Sequence, residues 1–160
     1  MAFEMLRLYP TQDFETPFEY DAENFTQRWW HSSLTAETLE DQKKNDYWSF
    51  RSEGIEVARA WIGRGTLGDA YLDLEPPEEI TDITFFEVSK CVRRQGYGTL
   101  SVQSLISHYK GRFITAFPID DVADSFWRST GFIYHPRKDG SDRRGSKNQT
   151  HDLLFVLDNR

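Results

Sequence analysis

The 160-residue chain carries 19 Lys and Arg against 26 Asp and Glu, a net charge of −7, together with five Trp, seven Tyr and twelve Phe. That length suits one domain, over 1–160, with a real core, and no apolar run reaches the roughly 20 residues needed to span a bilayer. MAFEMLRLYP lacks the basic and long apolar regions of a signal peptide, and the single cysteine, Cys91, allows no internal disulfide framework and fits a reducing, cytoplasmic setting.

FEMLRLY (3–9) reads as an opening strand. DAENFTQRWWHSS predicts a helix capped by Asp21, with Phe25, Trp29 and Trp30 on one face, and LTAETLEDQKKN predicts a second, more exposed helix. YWSFRSEGIEVARAWIG alternates on either side of Gly54 and predicts a β-hairpin turning near Ser52–Gly54. Residues 63–80 are rich in Gly and acid, and Pro76–Pro77 forbids regular structure there, apart from one short strand around Tyr71–Leu74. ITFFEVSK (83–90) predicts a buried strand. Val102, Leu105, Ile106 and Tyr109 then fall on one helical stripe. RFITAFPI (112–119) predicts a strand closed by Pro118, and DDVADSFWRST a short helix with an acidic start, ended by Gly131. FIYH (132–135) and HDLLFVLD (151–158) predict two further strands around a polar, basic, mobile loop. Strands alternating with helices after residue 83 imply a sheet with a parallel portion.

The chemistry concentrates in VRRQGYGTLS (92–101), between a strand and a helix. A helix starting near Gly98 leaves its first N–H groups without partners, at an end carrying roughly half a positive charge. Gly96 and Gly98 lack Cβ, so a bulky anion can approach the backbone. Arg93, Arg94 and the Thr99 hydroxyl add charge and a donor, a set that matches a pyrophosphate. An ATP-type loop would need Lys-Ser/Thr after its last glycine, where Thr-Leu stands, and a dinucleotide turn would need a glycine at 101, where Ser stands. A plain tight turn between strand and helix is the alternative.

Arg93-Arg94-Gln95-Gly96-Tyr97-Gly98 resembles the Arg/Gln-x-x-Gly-x-Gly/Ala motif of the GNAT superfamily of N-acetyltransferases. AxxFWRSTGF (Ala123 to Phe132), whose glycine falls 35 residues after Gly96, is similar to that family's second signature. The resemblance covers about residues 46–158, and the first 45 by element order alone. It implies an α/β fold with a mixed, mostly antiparallel central sheet flanked by helices and a splayed strand pair binding CoA. By that resemblance acetyl-CoA, as co-substrate, lies between strands 83–90 and 112–118. Its pyrophosphate meets the backbone from Arg94 to Thr99, its pantetheine runs along Phe86, Glu87 and Val88, and the Val88 N–H receives the acetyl oxygen. Asp120 stands where the family often has Asn, and Trp127 stands where it often has the tyrosine that protonates the thiolate.

The implied activity is transfer of an acetyl group to a primary amine. The proton donor is then Tyr134, or solvent, or transfer to an amine is not the activity. The base is Asp82, 11 positions before the motif, or Glu87, or a chain of waters; as structural alternatives Asp82 closes a turn and Tyr134 is a half-buried strand aromatic. His31, His108, His135 and His151 have no ligand spacing, so no metal is expected. Cys91 lacks a patterned His partner. Trp29, Trp30, Trp48 and Trp61 serve as core or as walls of an acceptor pocket.

Residues 1–90 hold 19 acidic and 8 basic side chains, a net of −11, while residues 91–160 hold 7 and 11, a net of +4. The first half suits a cationic acceptor, a small molecule or a protein amine, and the second an anionic ligand. A non-catalytic acyl-CoA-binding module is one alternative. A toxin-like transferase acting on charged tRNA is another, supported by the basic loop 137–148 and opposed by the acidic balance. Dimers are frequent among similar proteins, so a homodimer is compatible.

Overall fold

The computed structural model describes residues 2–10, 16–30 and 44–160. Among them a mixed, open sheet has seven strands: β1 (Phe3–Leu8), β2 (Asp46–Ser52), β3 (Ile55–Gly65), β4 (Ile80–Val88), β5 (Phe113–Ala116), β6 (Ile133–His135) and β7 (Leu154–Asp158). Their order is β1-β2-β3-β4-β5-β7-β6, and two helices, α1 (Tyr97–His108) and α2 (Asp121–Ser129), flank the sheet. The pairs β1–β2, β2–β3, β5–β7 and β6–β7 run antiparallel, and β4–β5 runs parallel. The mixed, mostly antiparallel sheet expected from the sequence is thus the one observed. The residues gather into two compact units, Met1–Gly63 with Phe85–Ser104 and Arg64–Thr84 with Leu105–Arg160.

In the first unit the hairpin turns as expected: Glu53 (φ 53°) and Gly54 (φ 81°) link Ser52 to its partner Ile55. Two consecutive left-handed residues match the right-handed twist of the strands they join. Phe18, Phe25, Trp29, Tyr47 and Trp61 form a buried aromatic cluster, joined by Leu8 and Phe85. Arg59 is fully buried beside it. Its guanidinium lies 4.1 Å from the Phe25 ring centre and pairs with Glu56 at 2.8 Å, with the Glu19 carbonyl also accepting at 2.8 Å. Burying a guanidinium is tolerable only with such pairing.

The helix expected from Asp21 is replaced by a turn and a short 3-10 segment, Gln27–Trp30. Asp21 does cap, accepting from the Asn24 N–H at 3.2 Å. One residue past the first turn, however, the Thr26 N–H donates to the Glu87 carboxylate at 3.0 Å. A charged acceptor from a distant strand takes the donor that an α-helix would use. His31 and most of the second expected helix lie outside the described residues.

In the second unit Tyr71, Ile80, Phe113, Leu154 and Val156 form the core. The strand expected around Tyr71–Leu74 reduces to a single bridge, Tyr71 to Arg137. At the C-terminal end of α1, Asn159 donates its side-chain amide to the carbonyls of Ile106 (2.8 Å) and Tyr109 (3.3 Å). The loop expected to be mobile is internally bonded instead. Arg144 grips the Asp124 carboxylate with two donors, at 3.0 and 2.6 Å, and Asp142, only 1% exposed, accepts from the Tyr134 hydroxyl and the Arg137 N–H.

Asp120 caps α2, its carboxylate accepting from the Ala123 N–H at 2.8 Å. Asp120→Ala should therefore lower stability in urea denaturation by about 1 kcal/mol while Asp120→Asn keeps most of it. Equal midpoints for wild type and the Ala variant would remove the capping role.

Candidate functional site

The backbone leaves β4, makes one 3-10 turn over Lys90–Val92, and extends at Arg93 (φ −62°, ψ 148°). It then reverses through two left-handed residues, Arg94 (φ 64°) and Gly96 (φ 87°). For glycine this is free, whereas for arginine it costs roughly 1–2 kcal/mol. Such strain is tolerated where the surrounding structure holds the conformation. The Leu100 N–H closes the first helical turn onto the Gly96 carbonyl at 3.1 Å. Tyr97, Gly98 and Thr99, in the first turn of α1, have no carbonyl one turn back within the helix to take their N–H groups, while the Gln95 N–H closes the turn over Arg93–Arg94. The side chains of Arg93, Arg94, Gln95 and Thr99 are exposed. A Cβ built on Gly96 would meet nothing within 4 Å. Tyr97 turns inward, its hydroxyl 3.4 Å from Ser52 Oγ, so the helix start is tied to the β2–β3 hairpin. What results is an open row of backbone donors under two guanidinium groups, a good match to a di-anionic phosphate chain.

The strand leading into this turn presents its backbone the same way. The Ser89 N–H donates to the Val57 carbonyl at 2.8 Å, so on an alternating backbone the N–H and C=O of Val88 face away from β3. Arg93 Nε donates to that Val88 carbonyl at 3.3 Å. Phe86 is partly buried. Glu87 is largely buried and taken up by protein donors. Its Oε1 accepts from Trp29 Nε1 at 2.8 Å, from the Thr26 N–H at 3.0 Å and from the Thr26 hydroxyl at 3.1 Å. Its Oε2 meets Arg93 at 3.4 Å. With its lone pairs committed to protein donors, Glu87 is a poor candidate for taking a substrate proton.

The other expected site residues belong to the second unit. Asp82 lies inside β4, not in a turn, beside Thr115 of β5. The register between these strands runs from Thr81–Ile114 to Ile83–Ala116, where β5 ends and β4 continues. Burial raises the carboxyl of Asp82 above the usual aspartate range, partly offset by hydrogen bonds from Thr115 (2.7 Å) and Thr84 (3.1 Å). The Tyr134 phenol is pushed up to about 12, first by burial and then by Asp142, to which it donates at 2.9 Å. Trp127 is buried between Phe126 and Phe132, with ring centres 5.2 and 5.0 Å away. Arg144, in the basic loop 137–148, is committed to Asp124. No group of three or more metal-ligating side chains occurs among the described residues.

Because the folded-state pKa of Asp82 is raised, its contribution to stability is fully present below the unfolded value, near 3.9, and is lost as pH rises through the folded value. Asp82→Asn should therefore gain melting temperature relative to wild type as pH rises through that window, and hold the gain above it. A difference that moves the other way would show that donors hold Asp82 ionised.

No protein-family model matches this sequence, and no curated protein matches it. Solved structures do. An N-acetyltransferase of Bacillus subtilis, YlbP, in complex with coenzyme A, superposes with a TM-score of 0.60 at 15% identity, covering 98% of this chain and 97% of that one. A GNAT-family acetyltransferase described from Desulfovibrio desulfuricans gives 0.60 at 12% identity, with 99% and 100% coverage. AtaT, solved with acetyl-methionyl-tRNAfMet, gives 0.54 at 15% identity, with 96% and 94% coverage. The sheet order, the parallel β4–β5 pair and these superpositions agree on one architecture: the chain has the fold of the GNAT acetyltransferases.

Proposed function

We propose that this protein is an acetyl-CoA-dependent N-acetyltransferase that acylates a primary amine. The observation that carries the reading is the start of helix α1 at Tyr97–Thr99, whose first N–H groups lack a partner within the helix, set behind the left-handed Arg94 and Gly96. The N–H groups would hold the pyrophosphate, with Arg93 and Arg94 supplying charge and Gln95, Tyr97 and Gly98 shaping the turn. Phe86, Glu87 and Val88 would offer backbone to the pantetheine arm. The Val88 N–H, facing away from β3, would donate to the acetyl oxygen as charge builds on it.

Acetyl-CoA supplies an activated acyl thioester. The protein's own tasks are to free the amine of a proton, hold the carbonyl, and let the sulfur leave. Burial makes Asp82 a stronger base than an exposed aspartate, which supports it as the proton acceptor. Tyr134 is less suited to returning a proton. A phenol near 12, already donating to Asp142, is a weak acid beside a thiol that ionises at about 8.5. That pairing favours solvent as the proton source. Asp120 and Trp127, engaged as helix cap and core, support the domain more than the coenzyme.

The acidic first ninety residues favour a cationic acceptor, a small amine or a protein amine. The fold shared with AtaT makes the amine of a charged tRNA the second reading. With Arg144 bound to Asp124, the loop cations left for RNA are Lys138, Arg143 and Lys147.

Calorimetric titration with acetyl-CoA should show binding to the wild type and none to Gly96→Glu, whose side chain would occupy the phosphate position. With an accepted amine, Asp82→Asn should then lower kcat by on the order of 10²-fold without loss of coenzyme binding. Binding without thiol release for any amine would make the protein a coenzyme-binding module. A turnover loss in Tyr134→Phe would return the proton-donor role to that residue.

A further inference from the structure

Glu87 gathers three elements of the first unit onto one carboxylate. Thr26 and Trp29 come from the segment before the 3-10 turn and from the turn itself, and Arg93 comes from the coenzyme turn. Three donors converge on Oε1, while Oε2 meets Arg93 at 3.4 Å and shares the Thr26 N–H at 3.2 Å. The side chain of Glu87 is 12% exposed and that of Arg93 is 51% exposed. Thus the Trp29 side of the junction is sheltered and tight, at 2.8 Å, whereas the Arg93 side is open and loose, at 3.4 Å. The same segment is held a second time, where the Lys90 N–H donates to the Asn24 carbonyl at 3.0 Å. Trp29 also sets its ring edge-on to Phe85 of β4, 6.1 Å between centres.

We infer that Glu87 is a positioning residue linking occupancy of the Arg94–Thr99 turn to the conformation of segment 24–30. The inference rests on the proposed coenzyme reading. A half-exposed guanidinium held only by long bonds, to Glu87 at 3.4 Å and to the Val88 carbonyl at 3.3 Å, is readily drawn to a doubly charged phosphate chain, which offers shorter, bidentate bonds. When Arg93 leaves, the Glu87 carboxylate loses the cation paired with it among the described residues, and its bonds to Thr26 and Trp29 strengthen. The segment that shapes β4 from the side of Trp29 is then held more firmly when coenzyme is present than when it is absent. Glu87 touches no reacting atom in this arrangement; it acts through Arg93 and Trp29.

The five indole N–H groups give a direct readout by ¹H–¹⁵N spectroscopy. Trp29→Phe identifies the Trp29 signal by its loss, and coenzyme A is the probe. In the wild type, the Trp29 signal should shift with the same midpoint as the backbone amides of Arg94–Thr99. In Glu87→Gln, the remaining carbonyl oxygen can still accept from Trp29, but the amide cannot hold Arg93. The Trp29 signal should then stop responding to coenzyme A while the turn amides still shift. A wild-type Trp29 signal that stays still while the turn amides move would overturn the inference, as would an undiminished response in Glu87→Gln. If no turn amide moves in the wild type, the coenzyme reading fails and the linkage fails with it. The Glu87–Trp29 bond is still read separately, from displacement of the Trp29 signal in ligand-free Glu87→Gln.

Discussion

The site depends on a backbone reversal that most residues resist. Arg94 and Gly96 both sit in the left-handed region, at φ 64° and 87°, with Gln95 between them. The reversal swings the chain from the end of β4 into α1 while leaving a row of N–H groups facing outward. Gly96 adopts its conformation freely; Arg94 does so at a cost, with an exposed side chain. The contacts that stabilise the neighbouring chain offset that cost. Tyr97 reaches Ser52, Ser89 bonds Val57, and Lys90 bonds Asn24. A turn held from three sides can keep its donors exposed without collapsing onto them.

Three carboxylates meet three different fates, decided by the donors that surround each. Glu87 gathers Trp29, Thr26 and Arg93 and becomes a structural junction. Asp82 has two threonine hydroxyls and no cation among the bonds described, so burial dominates and its carboxyl is raised. Asp142 is nearly inaccessible and organises the 136–150 loop by accepting hydrogen bonds from the Tyr134 hydroxyl and the Arg137 N–H. The same balance governs the arginines. Arg59 and Arg144 are spent on Glu56 and Asp124, while Arg93 and Arg94 stay largely exposed. Net charge by halves of the chain could not separate these cases, because a salt bridge removes a charge from recognition without removing it from the count.

Much of the fold was legible in the amino-acid order. Gly54 between alternating strands marked a hairpin, the Val102–Leu105–Tyr109 stripe marked α1, and Asp120 and Gly131 marked the ends of α2. The glycine turn was legible as well, since only backbone without Cβ can present that row of donors to a bulky anion. These signals are local: a turn type, a 3.6-residue period and a cap each involve residues a few positions apart.

What local pattern could not reveal depends on partners far along the chain. The expected helix from Asp21 gives way because the Thr26 N–H finds Glu87, 61 residues on. The basic loop is ordered because Arg144 finds Asp124, 20 residues back. Tyr134 is held by a carboxylate whose burial no periodicity foretells. The sequence by itself determined most strands, helices α1 and α2 and the place of the glycine turn, through steric and periodic rules that act over a few residues. Only the tertiary structure decided which carboxylate is buried with hydroxyl donors alone, which is saturated with donors and which arginines remain exposed. Hydrogen-bond and charge partners are chosen by proximity in the folded chain, and spacing along the sequence does not encode that proximity.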